Sequence, residues 1–322
     1  MTDFKIRARV GGRYKIQLRN TSGDVTQELD WFDNLVTNQG LDYIGTGGND
    51  YFMGFTQNFY VTRCAVGTGS TPPAFTDTTL TSQLYCYPTN GTNGAGTFST
   101  PSYVAGPPAY FTSTTTFTFP LGAVVGNIAE IGVGFLPVGS TGSTPLALFS
   151  HALIMSGGSP TTISVTSADQ LVVTYEERWY INTTSSPYSV VISGTTYSGT
   201  MLSLNQSLSG AFGLNGAITA NASGNITRCY GYNGTIGTVT TRPSGTSTDL
   251  GAGTIPAYTT GTYTTSMTFN CTTAQGNLSG GISVAAIQTS FQCWQFSLSP
   301  AIPKDNTKTM SLTFSISWAR YP

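Results

Sequence analysis

His151 is the single histidine of this 322-residue chain, so it bounds the acid–base chemistry the sequence can offer. A hydrolytic triad needs an imidazole or another base beside its nucleophile. His151 alternates with Phe149 and Leu153 along one strand-like stretch, a pattern expected of a core histidine satisfied by its neighbours. Carboxylates are the other source. Glu130 with Glu176 or Glu177 would suit glycoside hydrolysis, in which one carboxyl acts as acid and the other as base or nucleophile. Glu130 opens one strand and Glu176 and Glu177 end another beside Arg178, so ion pairing at strand edges is the expected role. Cys64, Cys86, Cys229, Cys271 and Cys293 are widely spaced with no CxxC pair. They read as reduced thiols of buried strands, not as a zinc site or a disulfide framework. Gly67-Thr68-Gly69 runs into Ser-Thr-Pro-Pro with no helix behind it, which is a turn and not a phosphate cradle. The expectation is a chain with no catalytic residue, no cofactor and no metal.

The elements that must position these residues are strands. Between Ile128 and Trp179 four alternating segments follow one another, around Ile131–Phe135, Phe149–Leu153, Ile163–Val165 and Leu171–Arg178, with Gly, Ser, Thr and Pro at the joints. They are expected to form a sheet face of one β-sandwich. The last strand, 311–319, sets Leu312, Phe314, Ile316 and Trp318 on one face. Fold class is therefore all-β: an antiparallel, jelly-roll-like β-sandwich over 1–182, then a second β-rich, Gly/Ser/Thr-rich region over 183–322. The final strand is expected to pack back on the first.

Only 8% of residues are charged, about a third of the usual fraction, and the net charge is −1. Hydroxyls and amides must cover the surface instead, while 12% aromatic residues supply a core. Such a balance exerts no long-range pull on nucleic acid or anionic lipid. No apolar run reaches the length of a membrane span, and the N-terminus lacks the apolar stretch of a signal peptide. Neither nucleic acid nor membrane insertion is expected, and assembly in a cytoplasm is.

The N-terminus carries six of the thirteen basic residues. Phe4, Ile6, Ala8 and Val10 alternate with Lys5, Arg7 and Arg9; beyond Gly11-Gly12, Tyr14, Ile16 and Leu18 alternate with Lys15, Gln17 and Arg19. The pattern is read as a hairpin turning through Gly11-Gly12-Arg13, which would set Arg9 opposite Lys15 and Lys5 opposite Arg19. Like charges so paired weaken a sheet unless an acidic surface lies over them. Lys5, Arg7, Arg9, Lys15 and Arg19 are therefore the candidate partner interface, with Asp24, Glu28, Asp30 and Asp33 of the same chain as the alternative cover. One short helix is expected over 37–44, capped by Thr37, stopped by Gly45 and pinned by Leu41 and Ile44.

Trp31-Phe32-Asp33-Asn34-Leu35 leads to Asn38-Gln39-Gly40-Leu41. Val66-Gly67-Thr68-Gly69 precedes Pro72-Pro73 and Asp77-Thr78-Thr79-Leu80, then come Glu130-Ile131-Gly132-Val133-Gly134, Leu148–Leu153 and Asp169–Tyr175. In order and spacing these segments, across roughly 30–180, resemble tail-associated structural proteins of tailed bacteriophages, of tail-fibre or baseplate type. The closing segment from Ile302 to Arg320 resembles the same group. In that group a basic residue commonly stands where this chain has His151. The resemblance implies a virion component that binds other virion proteins; self-association, as a trimer or ring, is expected because uncharged sheets with Thr, Ser and aliphatic faces are poor monomer surfaces and good mutual ones. The resemblance transfers no catalytic residue. Host-receptor contact through the second region follows as a subsidiary expectation. A carbohydrate-binding module reading host glycan, through Tyr, Trp, Asn and Thr of loops in 181–265, is the alternative; a glycan depolymerase is the third reading.

Overall fold

The computed structural model describes residues 3–46, 61–87, 97–98, 102–135, 141–204, 228–289 and 292–322. Its strands are β1 Asp3–Arg19, β2 Val25–Asp33, β3 Leu35–Val36, β4 Arg63–Gly67, β5 Gln83–Tyr87, β6 Thr97–Phe98, β7 Ser102–Val104 and β8 Ala109–Thr118. There follow β9 Gly126–Ile128, β10 Glu130–Phe135, β11 Ala147–Leu153, β12 Met155–Ser156, β13 Ser159–Pro160, β14 Ile163–Val165 and β15 Gln170–Ile181. The remainder are β16 Ser186–Ile192, β17 Thr195–Leu204, β18 Arg228–Tyr232, β19 Ser247–Thr254, β20 Thr264–Cys271, β21 Ile282–Gln288, β22 Cys293–Ile302 and β23 Met310–Arg320. The one helix among the described residues, α1, spans Asn38–Thr46. The fold is all-β with antiparallel sheets, as composition and alternation indicate.

A 14-stranded sheet runs in the order β16-β17-β22-β21-β18-β19-β20-β23-β1-β15-β8-β6, with β2 on β1 and β7 on β8. A 5-stranded sheet, β3-β11-β10-β4-β5, packs over its β1–β15 region. The Tyr14 hydroxyl (β1) joins the Ser150 hydroxyl (β11) at 2.7 Å across the two layers. At the other end the long sheet folds over itself, so that Phe4 of β1 touches both Phe296 of β22 and Tyr188 of β16.

Three expectations change. The run from Ile128 to Trp179 does not form one sheet face: β10 and β11 lie in the small sheet, β14 pairs with β9, and β15 crosses to the large sheet. Regions 1–182 and 183–322 share one hydrogen-bonded sheet and one core cluster, so the boundary falls between adjoining strands and not between two cores. The last strand does return to the first, with β23 alongside β1 in parallel register from Asp3↔Thr313 to Val10↔Arg320.

The N-terminal hairpin is the third. β1 is one continuous strand of 17 residues, about 55 Å long at a strand's rise. Period-two alternation passes through Gly11-Gly12 unbroken, so every even residue from Phe4 to Leu18 other than Gly12 is a buried side chain. The glycine exists for close approach, not for a turn: a Cβ on Gly12 would lie 2.5 Å from the Tyr175 hydroxyl and 2.7 Å from the Glu176 carbonyl oxygen. Arg9 consequently pairs with Tyr180 and Ala319, Lys15 with Thr174, Lys5 with Ser315 and Arg19 with Gln170. The like-charge pairs do not form.

Helix α1 is capped as expected, the Thr37 hydroxyl accepting from the Gly40 amide at 2.9 Å. Leu41 and Ile44 are buried. Gly45 does not stop the helix. It lies inside the last turn, where a Cβ would fall 2.4 Å from the Tyr258 ring.

Candidate functional site

Of the segments that carry the resemblance, those around Val66–Gly69, Asp77–Leu80, Glu130–Gly134 and Leu148–Leu153 meet at the small sheet, while Asp169–Tyr175 and the closing segment lie on β15 and β23 of the large sheet. β10 sets Glu130 opposite Gly67 and Leu153, and Gly132 opposite His151. β3 pairs with β11 at Ser150 and His151, and the Thr37 hydroxyl donates to the Leu148 carbonyl at 2.9 Å. The Asn38 amide donates to the Phe75 carbonyl at 2.7 Å, docking the 68–82 connection on the start of α1. Arg320 comes in from β23, its guanidinium donating to the Asn38 side-chain oxygen at 2.6 Å and lying over the Phe75 ring. The Trp318 indole donates to the Leu41 carbonyl at 2.8 Å.

At the centre is an ionic trio, with His151 and Glu130 buried and Asp77 partly exposed. His151 Nδ1 lies 2.8 Å from an Asp77 carboxylate oxygen and Nε2 3.1 Å from a Glu130 oxygen. Glu130 is fully buried, and His151 is 1% exposed. Besides the imidazole, the Glu130 carboxylate accepts from the amides of Gly69 (3.1 Å), Thr81 (3.0 Å) and Ser82 (2.6 Å). Gly67 and Gly69 make this possible, because a Cβ on either would sit 2.5 Å from the carboxylate. The Gly-Thr-Gly stretch, which leaves the end of β4 without a turn, is thus the surface on which one carboxylate grips a loop. Asp77, which pattern reading passed over as part of a motif, also accepts from the Ala74 amide at 2.8 Å.

The electrostatics follow from this packing. Burial alone would drive the His151 pKa down, but its two carboxylate acceptors outweigh that and raise it above its ordinary value. Burial likewise pushes Glu130 up, and the bonds from His151 and the three amides overturn this and hold it low. Both ring nitrogens face carboxylate oxygens, the arrangement that an imidazolium satisfies with two donors. With both nitrogens occupied, the imidazole has no free position for general-base work. The hydroxyl beside it in sequence, Ser150, is engaged with Tyr14 instead.

The carboxylates considered for glycoside hydrolysis are separated by the fold. Alternation along β15 turns Glu176 outward and Glu177 inward. Glu176 bridges Arg13 and Arg178 on the outer face of the large sheet. Glu177 is buried and accepts from the Trp179 indole, while Glu130 lies in the other sheet. All five cysteines are free and buried. Among the described residues, no group of three or more His, Cys, Asp or Glu is placed to hold a metal.

The basic residues share a face, because Lys5, Arg7, Arg9, Arg13, Lys15 and Arg19 are all odd-numbered on β1. Their surroundings differ along it. Lys15 meets Glu28 at 2.7 Å and Arg13 meets Glu176 at 3.0 Å, with the Arg13 guanidinium over Trp31. Arg19 donates to Gln17. Lys5, Arg7 and Arg9 are exposed, and no salt bridge among the described residues reaches them. The own-chain cover thus applies to Lys15 through Glu28. Beside Arg9 lie aromatic groups that the sequence reading did not single out. Tyr180 stacks on Tyr321 with centroids 3.5 Å apart, and Tyr110 lies 5.6 Å away carrying the Arg178 guanidinium. No family model, curated protein or solved structure matches the chain.

Proposed function

We propose that this chain is a structural component of a bacteriophage virion, a tail, tail-fibre or baseplate subunit that associates with copies of itself and docks to other virion proteins. One observation carries the reading. Four of the segments resembling phage tail proteins, those of Gly69, Asp77, Glu130 and His151, meet at a hub whose histidine and carboxylates are spent on each other and on backbone amides, which is how a scaffold uses charge. Meanwhile Lys5, Arg7 and Arg9 are left exposed for a partner. Assembly in a host cytoplasm agrees with five free, buried cysteines. A mass-spectrometric inventory of purified particles, with and without their tails, tests the role. The chain should be present at stoichiometric level in the tailed fraction, and its absence from both fractions overturns the proposal.

Host-glycan binding is the second reading, favoured by the partly exposed Tyr110, Tyr180 and Tyr321 on one sheet face, since aromatic rings on a flat polar surface suit sugar rings. Of the loops considered for this role in 181–265, residues 205–227 lie outside the described residues. A glycan array with the purified chain separates this reading, and release of reducing sugar from host polysaccharide separates the depolymerase.

A further inference from the structure

The outer face around β1 is electrically divided. Its half at residues 3–9 holds Lys5, Arg7 and Arg9 against Asp3 alone. Its other half, residues 13–19 with β2 and the facing part of β15, holds Asp24, Glu28, Asp30, Asp33 and Glu176, which outnumber by two the cations Arg13, Lys15 and Arg19 among them. Asp30 and Asp33 are exposed, and no salt bridge among the described residues reaches them. The free positive and the free negative charge of this face therefore lie at opposite ends of one long strand, with Gly11 between them. In a chain with 8% charged residues, such segregation on one surface needs a counterpart.

From this we propose that the face binds a second copy of the chain, across a two-fold axis passing over Gly11. A two-fold contact is self-complementary: whatever residue i meets on its partner, the partner's copy of i meets in return. An axis crossing β1 at Gly11 reverses the strand and lays each residue over the one equally far beyond the glycine. Arg9 then lies over Arg13 and the adjoining Asp33, paired in register across β1 and β2. Arg7 lies over Lys15 and over Asp30, which with Trp31 forms the bulge opposite that lysine. Lys5 lies over Gln17 and its partner Glu28. Each exposed cation meets a carboxylate. At the centre Gly11 brings no side chain, so the Tyr180–Tyr321 stack and Tyr110 beside it are free to meet their symmetry mates. Interfaces of this kind place aromatic residues centrally and charge at the rim.

The dimensions agree. From Lys5 to Gln17 is about 40 Å along the strand, and four strands span about 19 Å, giving close to the roughly 800 Å² per partner of a specific interface. The edge of β2 does not offer an alternative strand-to-strand join, since two β2 edges would bring Glu28, Asp30 and Asp33 against their own copies. The inference rests on self-association as part of the proposed role and names the surface for it.

Sedimentation velocity of the full chain at low and high salt tests it, with R7E/R9E, D30K/D33K, the variant combining all four, and the milder Arg7→Gln/Arg9→Gln. The expected result is a species of twice 33.9 kDa that dissociates as salt rises. Each double reversal should weaken dimerisation about ten-fold or more, with melting temperature held because the side chains are exposed, and the four-fold variant should restore the dimer. If R7E/R9E fails to fold, the neutral pair reports the same loss. A monomer at all salts, a trimer or ring indifferent to the reversals, or no recovery in the four-fold variant overturns the inference. So does assembly that is unchanged while retention on dextran sulfate is lost, which would assign the row to a polyanion. Detection in particles of a chain that sediments as a monomer rejects this interface but keeps the virion role; a salt-sensitive dimer absent from particles does the reverse.

Discussion

Glu130→Gln is the sharpest test of the hub. Size and shape are conserved, so the change isolates charge and acceptor count. The native carboxylate uses one oxygen for the amides of Gly69 and Ser82 and the other for Thr81 and His151. Whichever way a glutamine is turned, its NH2 group faces backbone N–H donors or a protonated imidazole. His151 would be left with Asp77 as its only carboxylate. Breaking a buried, hydrogen-bonded ion pair from one side costs about 3–5 kcal/mol, a large share of the roughly 5–15 kcal/mol that holds a domain together. At about 2 °C per kcal/mol for a chain of this size, melting should fall by about 6–10 °C. The pH profile gives an independent signature. With a folded-state pKa above 6.5, His151 contributes fully below that value and loses its contribution as pH rises through the folded pKa. With a folded-state pKa below 4.5, Glu130 contributes fully above that value and loses it as pH falls. The wild-type hub is therefore strongest between about pH 4.5 and 6.5, and the gap in melting temperature between wild type and variant should be widest there. A variant that melts within a degree of wild type at pH 5.5, or a gap that does not vary with pH, refutes the assignment.

Gly12→Ala should destabilise by about 1–3 kcal/mol, measured by urea denaturation, since the added carbon meets the Tyr175 hydroxyl and the backbone of Glu176; a neutral effect would restore the hairpin reading. All five cysteines should resist alkylation in the native protein and label fully in denaturant, because all are buried and burial raises the thiols of Cys64, Cys229, Cys86 (to about 12) and Cys271 (to about 11); rapid native labelling of any of the five contradicts this burial. Arg320→Lys should lower stability by about 1–2 kcal/mol in the same urea assay, since lysine cannot keep both the hydrogen bonds to Asn38 and Val36 and the planar stack on Phe75; unchanged stability would show that the charge alone suffices.

The residue types of β15 and β23 announced strands, and the cap at Thr37 announced the helix, because these are local periodicities and a local hydrogen bond. The common face of Lys5, Arg7, Arg9, Lys15 and Arg19 was legible for the same reason. Their pairing was not, since a glycine pair allows either a turn or a close approach, and only the ring of Tyr175 in the next strand decides between them. Gly45 misled in the same way, with Tyr258 coming from more than two hundred positions away.

The hub shows where local reading ends. A histidine between Phe149 and Leu153 already read as a core residue, and the buried cysteines, which form no disulfide, already read as reduced thiols. Nothing in their neighbourhoods named the partners. Asp77 and Glu130 stand 74 and 21 positions from His151, and Arg320, which reaches Asn38, stands 282 positions from it. Alternation determines which way a side chain points. Which opposing group it meets is determined by sheet order, and that order depends on long-range packing that a single strand does not encode. Hence the all-β class, the short helix and the inward and outward faces belong to the sequence alone. The single 14-stranded sheet, the parallel β1–β23 ladder, the ionic trio and the charge-divided face belong to the tertiary structure.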